Sequence, residues 1–282
     1  MDQQLAKVVA IARKAGQVAM SHFGHVERLT KTHAAATDEA VTIADRNTQA
    51  LIVSELRAAF PGDGIIGEED DSGAGITFDV KDPAGRVWVI DPIDGTNNFV
   101  GGYGAWCVCI GLLVAGMPVL GVIYDVTRDQ MYAGIVGGVV GVGATLNDAP
   151  IRVVNQPMSS RSLLMLTSNV LDGNGGLPGW MAAFLGQTLW KVRIIGSAAL
   201  EAASVASGVA AAAVTVNGKL WDCVAPAAVL IAAGGVMTNL RGEPIFPFDL
   251  RGYTGAKVPF IAASPESLTT ILSVIRSNGD HR

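Results

Sequence analysis

The chain has 282 residues, half of them hydrophobic and 16% charged, with a net charge of −5. That balance suits a sizeable buried core in one large α/β unit or two packed domains, and it excludes general disorder. With no basic cluster, nucleic acid and an anionic membrane are excluded as main partners, and three cysteines (Cys107, Cys109, Cys223) fit a reducing, cytoplasmic compartment rather than a disulfide framework.

In chain order, Leu5, Val8, Val9, Ala12, Ala15, Ala19 and Phe23 recur at helical spacing and predict an amphipathic first helix, not a signal peptide. A second helix is predicted from about Asp38 to Ala59 and is stopped by "FPGDG". "GIIGEED" reads as a short strand opening into an acidic loop, followed by a polar loop, "DSGAGITFDVKDPAG". The strand "RVWVI" then ends on Asp91. From Asn97 to Tyr124 no residue is charged, which is long enough to raise a membrane span. Its many glycines and Pro118 fit two buried strands joined at "AGMP" better than a lipid helix. "WCVCIGLLV", "PVLGVIYDV" and "QMYAGIVGG" read as consecutive antiparallel strands, and "LNDAP" as a turn.

From about Ile151 strands ("SLLMLTSN", "KVRIIGS", "AAAVTV") alternate with helices ("LPGWMAAFLG", "AALEAASVASG", "CVAPAAVLIAAGG"). The expected division is an α+β domain over residues 1–150, carrying the main site, and an α/β domain over 151–282 that completes it. Glu201 reads as helix surface, and Trp88, Trp106 and Trp221 as core.

The chemistry concentrates in acids beside small residues: Glu68 and Glu69 in "GEED", Asp91 and Asp94 in "DPIDGT", Asp222 in "LWDCVAP", and Asp45 on the second helix. Any one of them alone reads as a solvated acid or a helix cap. Together, several carboxylates in one place cannot stay ionised without a cation, since like charges raise each other's pKa. An all-oxygen set of Asp91, Asp94 and the Ile93 carbonyl selects a hard divalent cation, Mg²⁺ before Zn²⁺, and all four histidines (His22, His25, His33, His281) lie outside the acidic segments. Gly95-Thr96-Asn97 offers backbone N–H groups where a short helix could begin, a ready anion site. Cations beside an anion cradle point to a phosphate ester.

"GEE", "WVIDPIDGTNNF", "GSAAL" and "WD" before a helix closed by "GG" resemble the inositol monophosphatase family of Mg²⁺-dependent, lithium-sensitive phosphatases, over roughly Leu5 to Ser273. The resemblance implies a layered α-β-α-β-α sandwich of the sugar-phosphatase type, a homodimer, and hydrolysis of small phosphate monoesters with two to three Mg²⁺ ions. It implies a first Mg²⁺ on Glu68, Asp91 and the Ile93 carbonyl, and a second on Asp91, Asp94 and Asp222. Gly95 and Thr96 would bind phosphate, and Thr96, hydrogen-bonded to Asp45, would orient the attacking water. Gly196, Ser197 and Ala198 would line the leaving-group side. Glu69 joins Asp45 and Thr96 as a candidate catalytic residue, either a partner of the metal ligands or a solvated neighbour.

Three positions depart from the family pattern. Thr215 stands where inositol-specific members carry a glutamate that grips sugar hydroxyls. Glu39 and a displaced Lys31 alter the segment before Asp45, and "LND" (Leu146–Asp148) replaces an Asn-Gly turn. Substrates left open are inositol monophosphate, a sugar phosphate, histidinol phosphate and 3′-phosphoadenosine nucleotides. The alternative is a regulatory binding protein that keeps the fold with vestigial hydrolysis. No dinucleotide or P-loop motif supports an oxidoreductase or kinase: "GDGIIG" follows a helix and leads into a strand, the wrong order for a dinucleotide fingerprint, and "GIVGGVVGVG" lacks a following Gly-Lys.

Overall fold

A computed structural model describes residues 3–24, 28–29, 41–70, 76–137, 143–168, 176–186 and 190–278. Helix α1 (Gln3–His22) buries Leu5, Val8, Ile11, Ala12, Ala15 and Ala19 along one stripe, as its periodicity requires. Two short strands, β1 (Arg28–Leu29) and β2 (Val41–Thr42), pair antiparallel before helix α2 (Ile43–Ala59). The second helix therefore starts later than predicted, because the β-branched pair Val41-Thr42 goes to a strand. Asp38–Ala40, Lys31 and Glu39 lie outside the described residues.

The first sheet has eight strands: β3 (Gly64–Gly67), β4 (Thr77–Asp79), β5 (Arg86–Asp94), β6 (Cys107–Val114), β7 (Met117–Asp125), β8 (Gln130–Ile135), β9 (Ala144–Leu146) and β10 (Ala149–Ile151). Their order is β10-β9-β8-β7-β6-β5-β3-β4, and only β3 and β5 run parallel. The uncharged segment resolves into β6 and β7, turning at Ala115 (φ 50°) and Gly116 (φ 74°). No helix among the described residues is long and apolar enough to cross a membrane. β4 corrects the reading of residues 71–85 as loop alone. It is an edge strand with exposed Phe78 and Asp79, so no apolar alternation announces it.

After the short helix α3 (Thr96–Val100) in the first half, a second, five-stranded sheet follows: β11 (Leu163–Leu166), β12 (Lys191–Arg193), β13 (Ala212–Thr215), β14 (Val236–Thr238) and β15 (Phe260–Ala263), in the order β12-β11-β13-β15-β14. Helices α4 (Gly179–Gly186), α5 (Ala198–Ala206), α6 (Trp221–Ala232) and α7 (Pro265–Asn278) complete the chain. Three apolar clusters order the layers. Leu5, Ile52 and Leu56 of α1 and α2 pack on Trp88 and Ile110 of the first sheet. Ala202, Val224 and Leu230 of α5 and α6 lie between Val89 and Cys109 on one side and Ala262 on the other. Phe184 and Ile271 of α4 and α7 cover Leu164, Val214 and Ile261. The result is the expected α-β-α-β-α sandwich.

α6 is apolar nearly all round, as a helix caged between two sheets must be. It lies unusually close to the first sheet. Gly111, Gly121 and Gly134 are directly paired across β6, β7 and β8, forming a row of glycines under the helix. A Cβ on Gly111 would stand 2.6 Å from Ala225 N, one on Gly134 2.8 Å from Val229 Cα, and one on Gly121 would overlap Ala225 O. The helix ends where Gly234 adopts φ 87° and the N–H of Gly235 reaches back to Leu230 O at 2.8 Å. Gly121→Ala is therefore expected to destabilise the fold by about 1–3 kcal/mol through overpacking, read as a lower denaturant midpoint. An unchanged midpoint would mean that the helix is not seated on this row.

Candidate metal centre and active site

Asp91 and Asp94 lie on one strand three residues apart, a spacing that places side chains on opposite faces of a regular strand. β5 is not regular there. Asp91 pairs with Cys109 and Asp94 with Cys107, so three steps on β5 oppose two on β6, and a bulge absorbs the extra residue. The bulge turns Asp94 to the face that already holds Asp91, Cys107 and Cys109, toward α5 and α6. Ile93 goes to the other face, into an apolar cluster with Ala19, Ala44, Phe99 and Trp106. Pro92 and the Ile93 N–H, which donates to Asp91 Oδ1 at 3.0 Å, fix the turn. The strand thus runs on through Asp94, past the predicted end at Asp91.

Asp222 enters from the first turn of α6, where the Lys219 N–H donates to its Oδ2 at 2.7 Å. Tyr253 braces the approach by accepting the Leu220 N–H at 2.9 Å. Carboxyl oxygens of Asp91, Asp94 and Asp222 all lie within 4.8 Å of one another. Burial, then the charges of Glu68, Asp94 and Asp222, push the Asp91 carboxyl well above its usual range, and Asp91 and Asp222 share a hydrogen bond. Burial and the Asp94 charge push Asp222 up to about 7. Burial also raises Asp94, against donors that favour its ionised form. Those donors are Ser197 Oγ, in a very short bond, and the Ala199 N–H at 2.8 Å. A cation among these oxygens would relieve the repulsion that raises them. The all-oxygen donor set therefore fits a hard divalent ion.

Glu68 follows β3, and its charge helps to raise Asp91, although its carboxylate lies outside the tight trio. Glu69 is buried, which removes its reading as a solvated acid. Its peptide is gripped by Gln49 of α2: the carboxamide oxygen accepts the Glu69 N–H at 3.0 Å, and Nε2 donates to the Glu69 carbonyl in a very short bond. Gly67 leaves the room for this, since a Cβ there would sit 2.6 Å from Gln49 Oε1. A cavity of about 440 Å³, lined by Arg46, Gln49, Arg57, Glu69, Asp70 and Thr77, borders the same segment.

Gly95 has φ 95° and caps α3, and a Cβ there would press to 2.9 Å on Ala105 O, so glycine is required. Thr96 opens that helix. Its hydroxyl, which the resemblance pairs with Asp45, donates here to the Ile93 carbonyl at 3.1 Å. Asp45 is buried on the first turn of α2. Gly196 and Ser197 precede α5, and Ser197 is its N-cap, accepting the Leu200 N–H. Ala198 opens the helix. Thr215 closes β13 at 1% exposure, its hydroxyl without a hydrogen-bond partner among the described residues.

Two polar residues escaped the sequence reading. Gln49 carried no signal that distinguishes it from a helix surface residue. Glu201, read as helix surface, is instead buried at 1% exposure, and its Oε1 accepts the N–H groups of Ile195 at 3.1 Å and Gly196 at 3.2 Å. Burial pushes its carboxyl up to about 8. A signal existed: Glu201 is the one charged residue in a helix otherwise made of Ala, Leu, Ser and Val, which leaves that helix no polar face.

Comparison with known proteins agrees with this geometry. Residues 1–279 match the inositol monophosphatase family. The inositol-1-monophosphatase of Bacillus subtilis is 32% identical over 77% of this chain and 79% of its own length. The Nus factor SuhB of Xylella fastidiosa is 31% identical over 96% of this chain and 94% of its own. The solved structure of a Thermotoga maritima IMPase superposes with a TM-score of 0.81 at 29% identity, covering 98% of both chains. On its fold, its acidic cluster and these likenesses, the chain belongs to the inositol monophosphatase family, and with it to the phosphatases.

Proposed function

We propose that the chain hydrolyses a small polyol or sugar phosphate monoester with Mg²⁺ and without a covalent intermediate. The observation that carries this reading is the trio of carboxyl oxygens within 4.8 Å, two of them on buried residues, from residues as far apart in sequence as Asp91 and Asp222. Glu68, Asp91 and the Ile93 carbonyl would hold one ion, and Asp91, Asp94 and Asp222 a second. Bound there, the ions would supply a water of lowered pKa and a counter-charge for the departing oxygen.

The chain's own groups supply the positioning on which phosphoryl transfer depends. Ser197 and Ala199 hold Asp94 Oδ2 in one orientation from the start of α5. Gly95 and Thr96 present backbone N–H groups at the start of α3 to a phosphate oxygen. Thr96 Oγ1 donates to Ile93, and rotation of the hydroxyl away from that carbonyl frees it to orient the attacking water together with Asp45. Gly196, Ser197 and Ala198 face the leaving alcohol. Thr215, buried and without a carboxylate, does not supply the hydroxyl grip of inositol-specific relatives, so we place inositol phosphate below other polyol and sugar phosphates. Histidinol phosphate and 3′-phosphoadenosine nucleotides stay in the test panel. A second reading, a regulatory binding protein, draws on the relative named Nus factor SuhB. The complete set of acids favours hydrolysis.

Phosphate release from a panel of these esters, with and without Mg²⁺, separates the two readings. Turnover is expected to require Mg²⁺ and to fall by about a hundredfold or more in Asp94→Asn, exceeding what loss of an outer partner costs. A folded, Mg²⁺-binding protein that hydrolyses none of them would favour the binding reading. Millimolar Li⁺ is expected to inhibit by competing at the ion held on Asp222, and unchanged turnover would count against that site exchanging freely.

The raised carboxyls also fix the pH response of the metal-free protein. Asp222 rises from 3.8 to about 7, and Asp91 rises too, so the folded state binds more protons than the unfolded chain between these values. Stability from this source is present below pH ~4 and is lost as pH climbs through about 7. Thermal melts in chelator should therefore weaken from pH 5 to pH 8, and Mg²⁺ should stabilise more at pH 8 than at pH 5. A chelated protein that gained stability over this range would contradict the cluster.

A further inference from the structure

The corner that leads into α5 is held from two sides. Gly196 takes φ 79°, turning the chain sharply between Ile195 and Ser197. From α3, Asn98 Nδ2 donates to the Ile195 carbonyl at 2.7 Å and to the Ala105 carbonyl at 2.7 Å. From α5, Glu201 Oε1 accepts the N–H groups of Ile195 and Gly196. The next residues, Ser197 and Ala199, are the donors to Asp94. One continuous stretch of backbone thus joins a buried glutamate to a metal-site aspartate.

Packing alone does not call for an acid at this position. Ala199, Leu200, Ala202, Ala203 and Val205 around it on the helix are apolar and buried. Burying a carboxyl is costly unless it satisfies donors, and here it satisfies two adjacent peptide N–H groups. Its Oε1 accepts whether the group is ionised or neutral, so the clamp does not depend on charge.

On the phosphatase reading above, we propose that Glu201 is a positioning residue for the leaving-group side of the site. By fixing the Ile195–Gly196 peptides it sets the backbone wall against which the alcohol portion of the phosphate ester rests, and it does so without touching the metal ligands. Misplacement of such a wall weakens substrate binding more than it alters the chemical step.

The test compares wild type, Glu201→Gln and Glu201→Leu. Glutamine keeps the Oε1 acceptor and leucine removes it. For the best ester of the panel, Glu201→Gln is expected to stay within about threefold of wild type in kcat and KM, while Glu201→Leu raises KM about tenfold with kcat within about threefold. Mg²⁺ affinity by calorimetry should be the same in all three. Amide exchange at Ile195 and Gly196, the two N–H groups that Glu201 accepts, should quicken in Glu201→Leu and not in Glu201→Gln. Should the leucine variant not fold, Glu201→Asp, whose shorter arm falls short of the paired N–H groups, is expected to show the same rise in KM. Wild-type KM in the leucine and aspartate variants would overturn the assignment. So would a glutamine variant as impaired as leucine, or a loss of Mg²⁺ affinity that accounts for the defect. A wild type silent on every ester would sink the phosphatase reading and the leaving-group role together, whereas unaltered exchange in Glu201→Leu sinks the clamp alone.

Discussion

Three carboxyl groups within 4.8 Å of one another, two of them on buried residues, repel one another, and the fold around them is organised to tolerate that repulsion. Burial and the charges of Glu68, Asp94 and Asp222 push the Asp91 carboxyl well above its usual range. Asp94 is held toward its ionised form by Ser197 and Ala199. Asp222 stands at a helix N-terminus, where the macrodipole favours negative charge. Each acid thus has its own environment, set by burial, by its hydrogen-bond donors and by its neighbours' charges.

The same constraint explains why the site lies where layers meet. Acids on one strand cannot close a cage by themselves, because a strand directs its side chains to two faces. The β5 bulge recovers one face for Asp91 and Asp94, and α6, sandwiched between the sheets, brings Asp222 to it. α5 brings the donors that orient Asp94. Strand, bulge and two helix starts contribute one function each, and the apolar cluster between the sheets holds them in mutual register.

Much of this was legible in the sequence where chemistry and pattern coincide. "DPIDGT" announced its paired acids, Asp222 announced itself before a Gly-Gly-closed helix, and alternating apolar runs marked β6 to β8. What stayed hidden depends on contacts between distant segments. The face on which Asp94 lies is set by a bulge that has no compositional sign beyond Pro92. β4 is an edge strand with two exposed residues in three. Glu201 looked like helix surface because a lone charge in an apolar helix does not reveal that α6 and strands of both sheets enclose α5. The hydroxyl of Thr96 donates to the Ile93 carbonyl three positions back, an acceptor that the motif does not announce.

The glycine row beneath α6 has a meaning beyond packing. It works as a depth stop: the helix settles until its backbone meets bare sheet at Gly111, Gly121 and Gly134. Any side chain there would act as a shim, lifting the helix and withdrawing Asp222 from the strand-borne acids. The spacing of the acidic cluster is therefore set by three residues outside it. Thr215 lies on β13 of the other sheet and carries no such duty, so a change there leaves the spacing of the acids locked.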